Sequence, residues 1–292
     1  MKRKIIVFGS GFLGTEIYKE SLRRNCISKK TRLHSDQEII QLDIKDQTQV
    51  KNLIESEKPE ILINCISKND VDFIEKDNTE AMNVNALGPR TLSDVCKKIN
   101  CGLIHISTDS IFDGTKGMYT ESEQPVPINA YARTKFRGEE EIRNNIENFV
   151  IIRTNFFGIN RTGRYLLNNI ISKLKNNEKI QGFKDVIFTP LPVDNLAQQI
   201  MDVAFSEFQG ILNLSSNKPI SKLDFCNIVA KKLDFDNCDI TECSIDDFGF
   251  DAARPKNTSL DNSLSKSIIK HKPIGLDEWL DSSKGRIKEY FN

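Results

Sequence analysis

Short apolar runs alternate with longer segments of helical periodicity over the first 155 residues of the chain. The apolar runs are nearly continuous, which is typical of strands that are buried on both faces of a parallel sheet. Strands that alternate with helices of this length predict a parallel sheet with helices on both sides. The predicted strands are residues 4–8, 25–28, 38–44, 60–67, 103–107 and 149–154, and the predicted helices are residues 12–24, 46–58, 79–100 and 130–145.

Beyond residue 155 the alternation becomes less regular. Apolar residues at helical spacing predict four helices, and the run GILNLS predicts a strand at residues 210–215. We therefore expect an α/β fold with a doubly wound parallel sheet and a smaller, mixed α/β C-terminal part. The four helices are expected near residues 164–177, 193–206, 221–233 and 276–291.

The composition argues against several classes of protein. Lysine plus arginine and aspartate plus glutamate both number 41, so no net charge favours nucleic acid or an anionic membrane as a partner. No apolar run approaches the roughly 20 residues of a membrane-spanning helix. The seven cysteines lack a C-x-x-C pair, which indicates reduced thiols in a cytoplasmic protein. The histidines do not cluster with the cysteines, so no metal site is expected; they are His34, His105 and His271.

A glycine-rich turn joins the first predicted strand to the first predicted helix, in the pattern G-x-G-x-x-G. Glycines in this position let the backbone approach a pyrophosphate that rests on the N-terminus of the helix. The pattern also occurs by chance in other turns, but its place between a first strand and a first helix favours dinucleotide binding and a Rossmann-type sheet. The predicted pyrophosphate-binding residues are Gly9, Ser10, Gly11, Phe12, Leu13 and Gly14.

Cations follow the second predicted strand. Lys29, Lys30 and Arg32 stand where a carboxylate would hold the ribose 2′-hydroxyl of NADH. Because cations suit the 2′-phosphate of NADPH, we expect NADPH as the cofactor, with NADH as a further possibility. The same three residues are equally typical of a solvated loop. Asp43, at the end of the third predicted strand, either contacts the adenine amine or caps the helix that begins near Asp46.

A Tyr-x-x-x-Lys pair lies on the predicted helix at residues 130–145. Tyr131 and Lys135 are four residues apart, so their side chains share one helix face. Because an adjacent cation stabilises a phenolate, we expect Lys135 to lower the pKa of Tyr131. Thr108 follows a predicted strand and can hydrogen-bond to a substrate oxygen beside the phenol. Together the three residues predict a proton-delivery site for a carbonyl group that accepts hydride.

The order of these motifs resembles the extended short-chain dehydrogenase/reductases, and within them the dTDP-4-dehydrorhamnose reductase family. The similar segments, which span nearly the whole chain, are NCIS, NVNALGP, STDSIFDG, YARTK, IIRTNFFG and AARPKNTSLDNSL. The resemblance implies reduction of the 4-keto group of a nucleotide-linked 6-deoxyhexose with NAD(P)H. It also implies that Thr108, Tyr131 and Lys135 are catalytic. Asp109, beside them, either orients the site or caps the turn that follows the strand.

The resemblance extends the expected site to further residues. Phe156 stands where the family usually has a tryptophan. Arg254 either binds the diphosphate of the substrate or holds the C-terminal segment through an ion pair, and Asn85 either lines the site or holds its backbone. The further residues expected to bind the cofactor are Asp43, Ile44, Cys65, Ile66, Ser67 and Asn85. The residues expected to bind the substrate are Ser107, Phe112, Phe156 and Arg254.

The expected organisation of the chain has two parts. Residues 1–155 together with about 188–215 are predicted to form the NAD(P)-binding domain. Residues of about 156–187 and 216–292 are predicted to bind the nucleotide-sugar. We expect a cytoplasmic enzyme of deoxysugar or surface-polysaccharide biosynthesis, and a homodimer is left open.

Two other functions are left open by the sequence. The β regulatory subunit of methionine adenosyltransferase resembles the same family and would make this chain a nucleotide-binding scaffold without catalysis. A reductase or epimerase that acts on a UDP-sugar would share these motifs, because the nucleotide base is not encoded in them. A 4,6-dehydratase is disfavoured, since such enzymes carry Thr-Asp-Glu at this strand end and Ser110 replaces the glutamate here.

Overall fold

The first half of the chain alternates strands with helices as the sequence predicts. This computed structural model describes residues 2–33, 39–160, 163 and 165–291. Asp46 and Asn129 each begin a helix by accepting a hydrogen bond from a backbone N–H of the first turn. The elements are β1 (Lys4–Phe8), α1 (Phe12–Arg23), β2 (Ile27–Arg32), β3 (Ile40–Gln41), α2 (Gln47–Glu57), β4 (Ile61–Asn64), α3 (Val71–Lys76), α4 (Thr79–Met82), α5 (Gly88–Ile99), β5 (Gly102–Ile106), α6 (Ala130–Arg143) and β6 (Phe149–Thr154).

The second half consists of shorter strands between longer helices. Its elements are β7 (Phe156–Phe157), α7 (Leu166–Lys175), β8 (Ile180–Phe183), β9 (Ile187–Phe188), β10 (Leu191–Pro192), α8 (Val193–Ala204), β11 (Gly210–Leu214), β12 (Ile220–Ser221), α9 (Lys222–Lys232), β13 (Ile240–Cys243) and α10 (Leu276–Phe291). The five predicted elements of this half are therefore present, and the short paired strands are additional. Strands of two to four residues carry too few side chains to show a period of two.

The central sheet has seven parallel strands in the order β11-β6-β5-β4-β1-β2-β3. β11 returns from the second half of the chain to pair with β6. The expected fold class, a Rossmann-type doubly wound α/β fold, is confirmed. Because the strands are parallel, the residues that follow β1, β4, β5 and β6 meet at one edge of the sheet.

Helices cover both faces of this sheet. On one face, Ile17 of α1 and Leu196 of α8 pack with the side chains of Ile5 and Val7. On the other face, residues of α2, α5 and α6 pack with Ile6 and Phe8. A third apolar cluster, built from α7, α9 and α10, contains Trp279 and forms the core of the C-terminal part. The division of the chain into two domains stays a prediction.

Three details of the first half differ from the prediction. The second strand was expected at residues 25–28, but β2 spans Ile27–Arg32. α3 was missed, because six residues are too few to show helical periodicity. The predicted helix at residues 79–100 consists of α4, a π-helical turn at Asn83–Leu87 and α5. Within the described residues, no helix is both long enough and apolar enough to cross a membrane.

Candidate active site and cofactor-binding turn

The glycine turn between β1 and α1 has a backbone geometry that only glycine permits. Gly9 has a φ of 98°, in the left-handed region. A Cβ on Gly14 would lie 2.0 Å from the carbonyl oxygen of Gly9, so a side chain there would push the helix away from the strand. Nothing in the described structure lies within 4 Å of a Cβ at Gly11. The turn therefore fits a pyrophosphate at the N-terminus of α1. Leu13 is buried in the core, so only its backbone is available to a ligand.

The basic residues of β2 do not form one cluster. Lys29 lies three residues before the end of β2, about 10 Å along the strand, and its ammonium lies 2.6 Å from the Glu57 carboxylate. Lys30 places its ammonium 4.9 Å from the ring centroid of Tyr18 on α1. Arg32 is the last residue of β2 and is exposed. The expected contact of Lys29 with the 2′-phosphate is therefore wrong, because the strand continues past the predicted end.

Asp43 does not cap α2. Its carboxylate accepts a hydrogen bond from the backbone N–H of Lys45 at 2.9 Å, whereas the carboxylate of Asp46 caps the helix. The contact of Asp43 with adenine stays a prediction. The side chain of Ile44 is buried against the α2 and α5 side of the sheet.

Asn85 holds the loop that follows β4. The loop contains Cys65, Ile66 and Ser67, which are partly buried or exposed at the edge of the sheet. The amide oxygen of Asn85 accepts hydrogen bonds from the Lys68 N–H at 2.9 Å and the Ser67 hydroxyl at 3.2 Å. Its amide nitrogen donates to the carbonyl of Lys68 and to the hydroxyl of Thr134. Asn85 is fully buried, so the structure assigns it to positioning the loop and corrects its expected contact with the cofactor.

Tyr131, Lys135 and Thr108 meet at the carboxyl edge of the sheet. The ammonium of Lys135 donates a hydrogen bond to the carbonyl of Ile106, the last residue of β5, at 2.8 Å. Burial lowers the pKa of Lys135 to about 8, against the attraction of Glu139. Burial raises the pKa of Tyr131 to about 12, although hydrogen bonds to Thr108 and Ser67 favour the phenolate.

The direction of the Tyr131 pKa is opposite to the one that the sequence suggested. The Lys135 ammonium donates its hydrogen bond to the carbonyl of Ile106 in the strand. Desolvation of the phenolate is therefore the largest influence on the pKa of Tyr131, and it raises that pKa. A phenol with a pKa of about 12 stays protonated at neutral pH. It is therefore poised to donate a proton to an oxygen on which negative charge develops.

Asp109 joins three parts of the site through one buried carboxylate. It accepts hydrogen bonds from the hydroxyl groups of Thr108 and Ser110, each at 3.2 Å. It also accepts from the Asn155 amide at 3.0 Å and from the Thr258 hydroxyl at 2.8 Å. Thr108, not Asp109, caps the short 3₁₀ turn that follows β5. Burial raises the pKa of Asp109, and its bonds tie the end of β5 to the C-terminal segment.

Two of the expected substrate contacts are core residues. The hydroxyl of Ser107 donates to the Glu139 carboxylate at 2.5 Å, within a buried ion pair between Glu139 and Arg153. The ring of Phe112 stacks on Tyr119 at 4.1 Å and is 1% exposed. Both expectations are corrected, because these side chains are already enclosed by protein.

Phe156 and Arg254 remain accessible to a ligand. Phe156 lies partly exposed next to Phe12, with 6.3 Å between ring centroids, and next to Tyr165. Arg254 lies 2.6 Å from the carboxylate of Asp72 through Nη2, while its Nη1 is buried without a partner among the described residues. The ion-pair alternative for Arg254 is therefore present, and a second nitrogen is left for a ligand.

A cavity of about 460 Å³ opens beside this edge of the sheet. Ser110, Asn155 and Thr258 connect it to the Asp109 carboxylate, and Arg254 lies in its wall. Lys222 also lines the cavity. It could not be expected there from the sequence, because it lies in a segment without a recognisable motif. The remaining lining residues are Leu166, Asn169, Ile170, Lys173, Ile180, Gln181, Phe183, Val186, Phe188, Cys226, Ile245, Phe250 and Pro255.

Two curated relatives align over most of the chain. The probable low-salt glycan biosynthesis reductase Agl14 of Haloferax volcanii is 28% identical over 96% of this chain and 97% of its own length. The methionine adenosyltransferase 2 subunit beta of Rattus norvegicus is 25% identical over 91% of this chain and 82% of its own length. Relatives therefore include a protein named as a probable reductase and one named as a subunit of methionine adenosyltransferase.

Solved structures have the same fold. The dTDP-4-dehydrorhamnose reductase of Clostridium acetobutylicum has a TM-score of 0.87 and 26% identity, covering 99% of this chain and 100% of that one. The dTDP-4-dehydrorhamnose reductase of Bacillus anthracis, a complex with NADP, has a TM-score of 0.87 and 24% identity, covering 99% of both chains. The model of the RmlD substrate binding domain matches residues 3–290. With a match over nearly its whole length, the chain belongs to the RmlD substrate binding domain family.

Proposed function

We propose that this chain is an NADPH-dependent sugar-nucleotide reductase that acts on the 4-keto group of a nucleotide-linked 6-deoxyhexose. The observation that carries the proposal is the meeting of Tyr131, Thr108 and Lys135 at the sheet edge, between the glycine turn and the cavity. Relatives and structural neighbours named as glycan and dTDP-4-dehydrorhamnose reductases support it. We propose dTDP as the nucleotide and deoxysugar biosynthesis as the role.

In the proposed reaction a carbonyl becomes an alcohol by gaining a hydride at carbon and a proton at oxygen. NADPH, when bound, supplies the hydride. The phenol of Tyr131 donates the proton to O4, and the Thr108 hydroxyl, its hydrogen-bond partner, holds the phenol in position. The Lys135 ammonium holds the ribose beside the phenol. Asp109 fixes Thr108 by accepting a hydrogen bond from its hydroxyl group.

The residues near the glycine turn fit a dinucleotide. The open space beside Gly11 leaves the N-terminus of α1 accessible to a pyrophosphate. Arg32 is the exposed last residue of β2, and we propose that it binds the 2′-phosphate of NADPH. We therefore propose NADPH as the preferred cofactor, with NADH accepted less well.

One experiment tests the proposed activity against the regulatory alternative. Purified protein is incubated with NADPH and dTDP-4-keto-6-deoxyhexose, and the loss of absorbance at the nicotinamide band is followed. A parallel reaction contains the UDP-linked 4-keto sugar. Consumption of NADPH with the dTDP-sugar supports the proposal. Consumption of NADPH with the UDP-sugar alone would mean that the substrate carries UDP instead of dTDP. No consumption, together with co-purification of a methionine adenosyltransferase, would replace it with the regulatory function.

A further inference from the structure

The cavity beside the active site is lined by several basic side chains. Three cationic residues line it, namely Lys173, Lys222 and Arg254. Among the described residues of its wall there is no aspartate or glutamate. A concave site with cations and no nearby acid in its lining attracts an anionic ligand.

Both the backbone and the side chain of Lys222 have a partner at the N-terminus of α9. It is the first residue of the helix, and its backbone N–H donates to the carbonyl of Val186 at 2.9 Å. Its ammonium lies 3.6 Å from the ring centroid of Phe188, a side chain that is 2% exposed. This cation–π contact fixes the ammonium over a buried ring at the cavity wall.

The Lys222 ammonium has donors without acceptors. The described part of the chain offers it the Phe188 ring but neither a hydrogen-bond acceptor nor an ion pair. Burial lowers the pKa of Lys222 to about 8, and the charge of Asp109 only partly opposes this. An ammonium group has three donors, and leaving them unpaired in a desolvated site is costly.

Arg254 has a similar vacant donor in the wall of the same cavity. Its Nη2 is paired with Asp72, while its Nη1 is buried without a partner among the described residues. Its guanidinium carbon also lies 5.1 Å from the ring centroid of Phe250. Two cations that are each held by an aromatic ring thus present unused donors to one cavity.

We infer that Lys222 is a substrate-binding residue: together with Arg254, it binds the diphosphate of the nucleotide-sugar. The inference rests on the proposed nucleotide-sugar substrate. Ser110, Asn155 and Thr258 line the cavity and donate hydrogen bonds to Asp109. Because Asp109 also accepts a hydrogen bond from Thr108, the cavity adjoins the reacting edge. Lys222 therefore anchors the diphosphate while the hexose reaches Tyr131.

The test measures nucleotide binding, which does not depend on turnover. The full-length chain is titrated with dTDP, UDP and GDP by calorimetry, and the tightest of the three is used as the probe. Lys222→Met should weaken its binding about 10- to 100-fold, the loss expected for one charged hydrogen bond. Lys222→Arg should restore most of the affinity. Lys231→Met, on the same helix but exposed, should bind as the wild type does.

Further measurements distinguish recognition of the diphosphate from recognition of the nucleoside. They also distinguish a failure of this inference from a failure of the proposed activity. The matching nucleoside, followed by ligand-observed NMR, should bind equally to wild type and Lys222→Met. The melting temperature of Lys222→Met should not fall, because a desolvated charge is removed. Unchanged diphosphate binding in Lys222→Met, an equal loss for nucleoside and diphosphate, or a wild type that binds none of the probes overturns the inference. Intact, Lys222-dependent binding without reductase activity overturns only the proposed activity.

Discussion

Burial favours the neutral forms of two neighbouring groups, Tyr131 and Lys135. It raises the pKa of the phenol to about 12 and lowers the pKa of the ammonium to about 8. At neutral pH the phenol is therefore fully protonated, while the ammonium is charged and close to its titration. The pair combines a proton donor with a cation that is costly to bury.

Replacing Tyr131 by phenylalanine should remove the proton donor and leave the fold intact. We expect kcat to fall about 10²- to 10⁴-fold, the usual contribution of positioned acid catalysis. The dissociation constant for NADPH, measured by fluorescence titration, should change little. Tyr290→Phe, at an exposed position of α10, is the matched control and should keep wild-type kcat. Near-normal turnover of Tyr131→Phe in a folded preparation would show that another group donates the proton.

Replacing Lys135 by methionine should raise stability at pH 7 while it lowers activity. The unfolded chain holds a proton on this lysine up to its ordinary pKa of 10.5, whereas the folded protein releases it near 8. The free energy of unfolding contributed by Lys135 therefore rises as pH increases from 8 to 10.5. Urea unfolding at pH 7 and pH 10 should show the variant more stable by about 1–3 kcal/mol at pH 7, with a smaller gap at pH 10. A gap that does not depend on pH would contradict the assigned pKa.

At the scale of elements, the length of β2 decides which cation lies at the end of the strand. β2 extends to Arg32 and pairs with β1 through Val7 and Lys30, so Lys29 lies level with Ile6 inside the sheet. The period of two along a strand then sends neighbouring side chains to opposite faces. Lys29 consequently meets Glu57 near the end of α2 and Lys30 meets Tyr18 on α1.

Arg32→Ala should therefore change the cofactor preference, and Lys29→Ala should not. We expect the ratio of kcat/KM for NADPH to that for NADH to fall about tenfold in Arg32→Ala, because one charged hydrogen bond to the 2′-phosphate is lost. Steady-state kinetics with both cofactors measure the ratio. Lys29→Ala removes a cation from the same strand and serves as the control. Equal ratios in Arg32→Ala and wild type would rule out this role for the end of β2.

At the scale of the whole molecule, a buried ion pair holds α6 against the sheet. Arg153 of β6 and Glu139 of α6 lie 2.8 Å apart, with side chains 1% and 0% exposed. The Ser107 hydroxyl donates to the same carboxylate, and the Arg153 guanidinium lies 5.4 Å from the ring centroid of Phe112. Since α6 also carries Tyr131 and Lys135, this pair joins the helix of the proposed proton donor to the sheet.

Removing one partner of this pair should destabilise the whole molecule. Arg153→Met leaves the Glu139 carboxylate buried without its cation, which typically costs about 3–5 kcal/mol. Urea unfolding of Arg153→Met should show a loss of this size. The double variant Glu139→Leu/Arg153→Met should recover most of it, because neither charge is left alone. A single variant as stable as the wild type would mean that water or another group compensates the carboxylate.

The sequence by itself determined the features that depend on near neighbours in the chain. The glycine turn, the shared face of Tyr131 and Lys135, and the alternation of strands and helices follow from local spacing, and the structure has all three. The resemblance in motif order also identified the family, which the match over residues 3–290 confirms. These features are legible because periodicity and backbone sterics act over a few residues.

Only the tertiary structure decided what surrounds each functional side chain. It enclosed Ser107 and Phe112 in the core, used the amide of Asn85 to hold a loop, and paired Lys29 with Glu57. It also brought Lys222 to the cavity beside Asp109, more than one hundred residues away in the chain. Burial and pairing depend on which distant segments meet. Desolvation, helped by the charge of Asp109, reversed the expected direction of the Tyr131 pKa. Such partners lie too far apart along the chain for local spacing to predict.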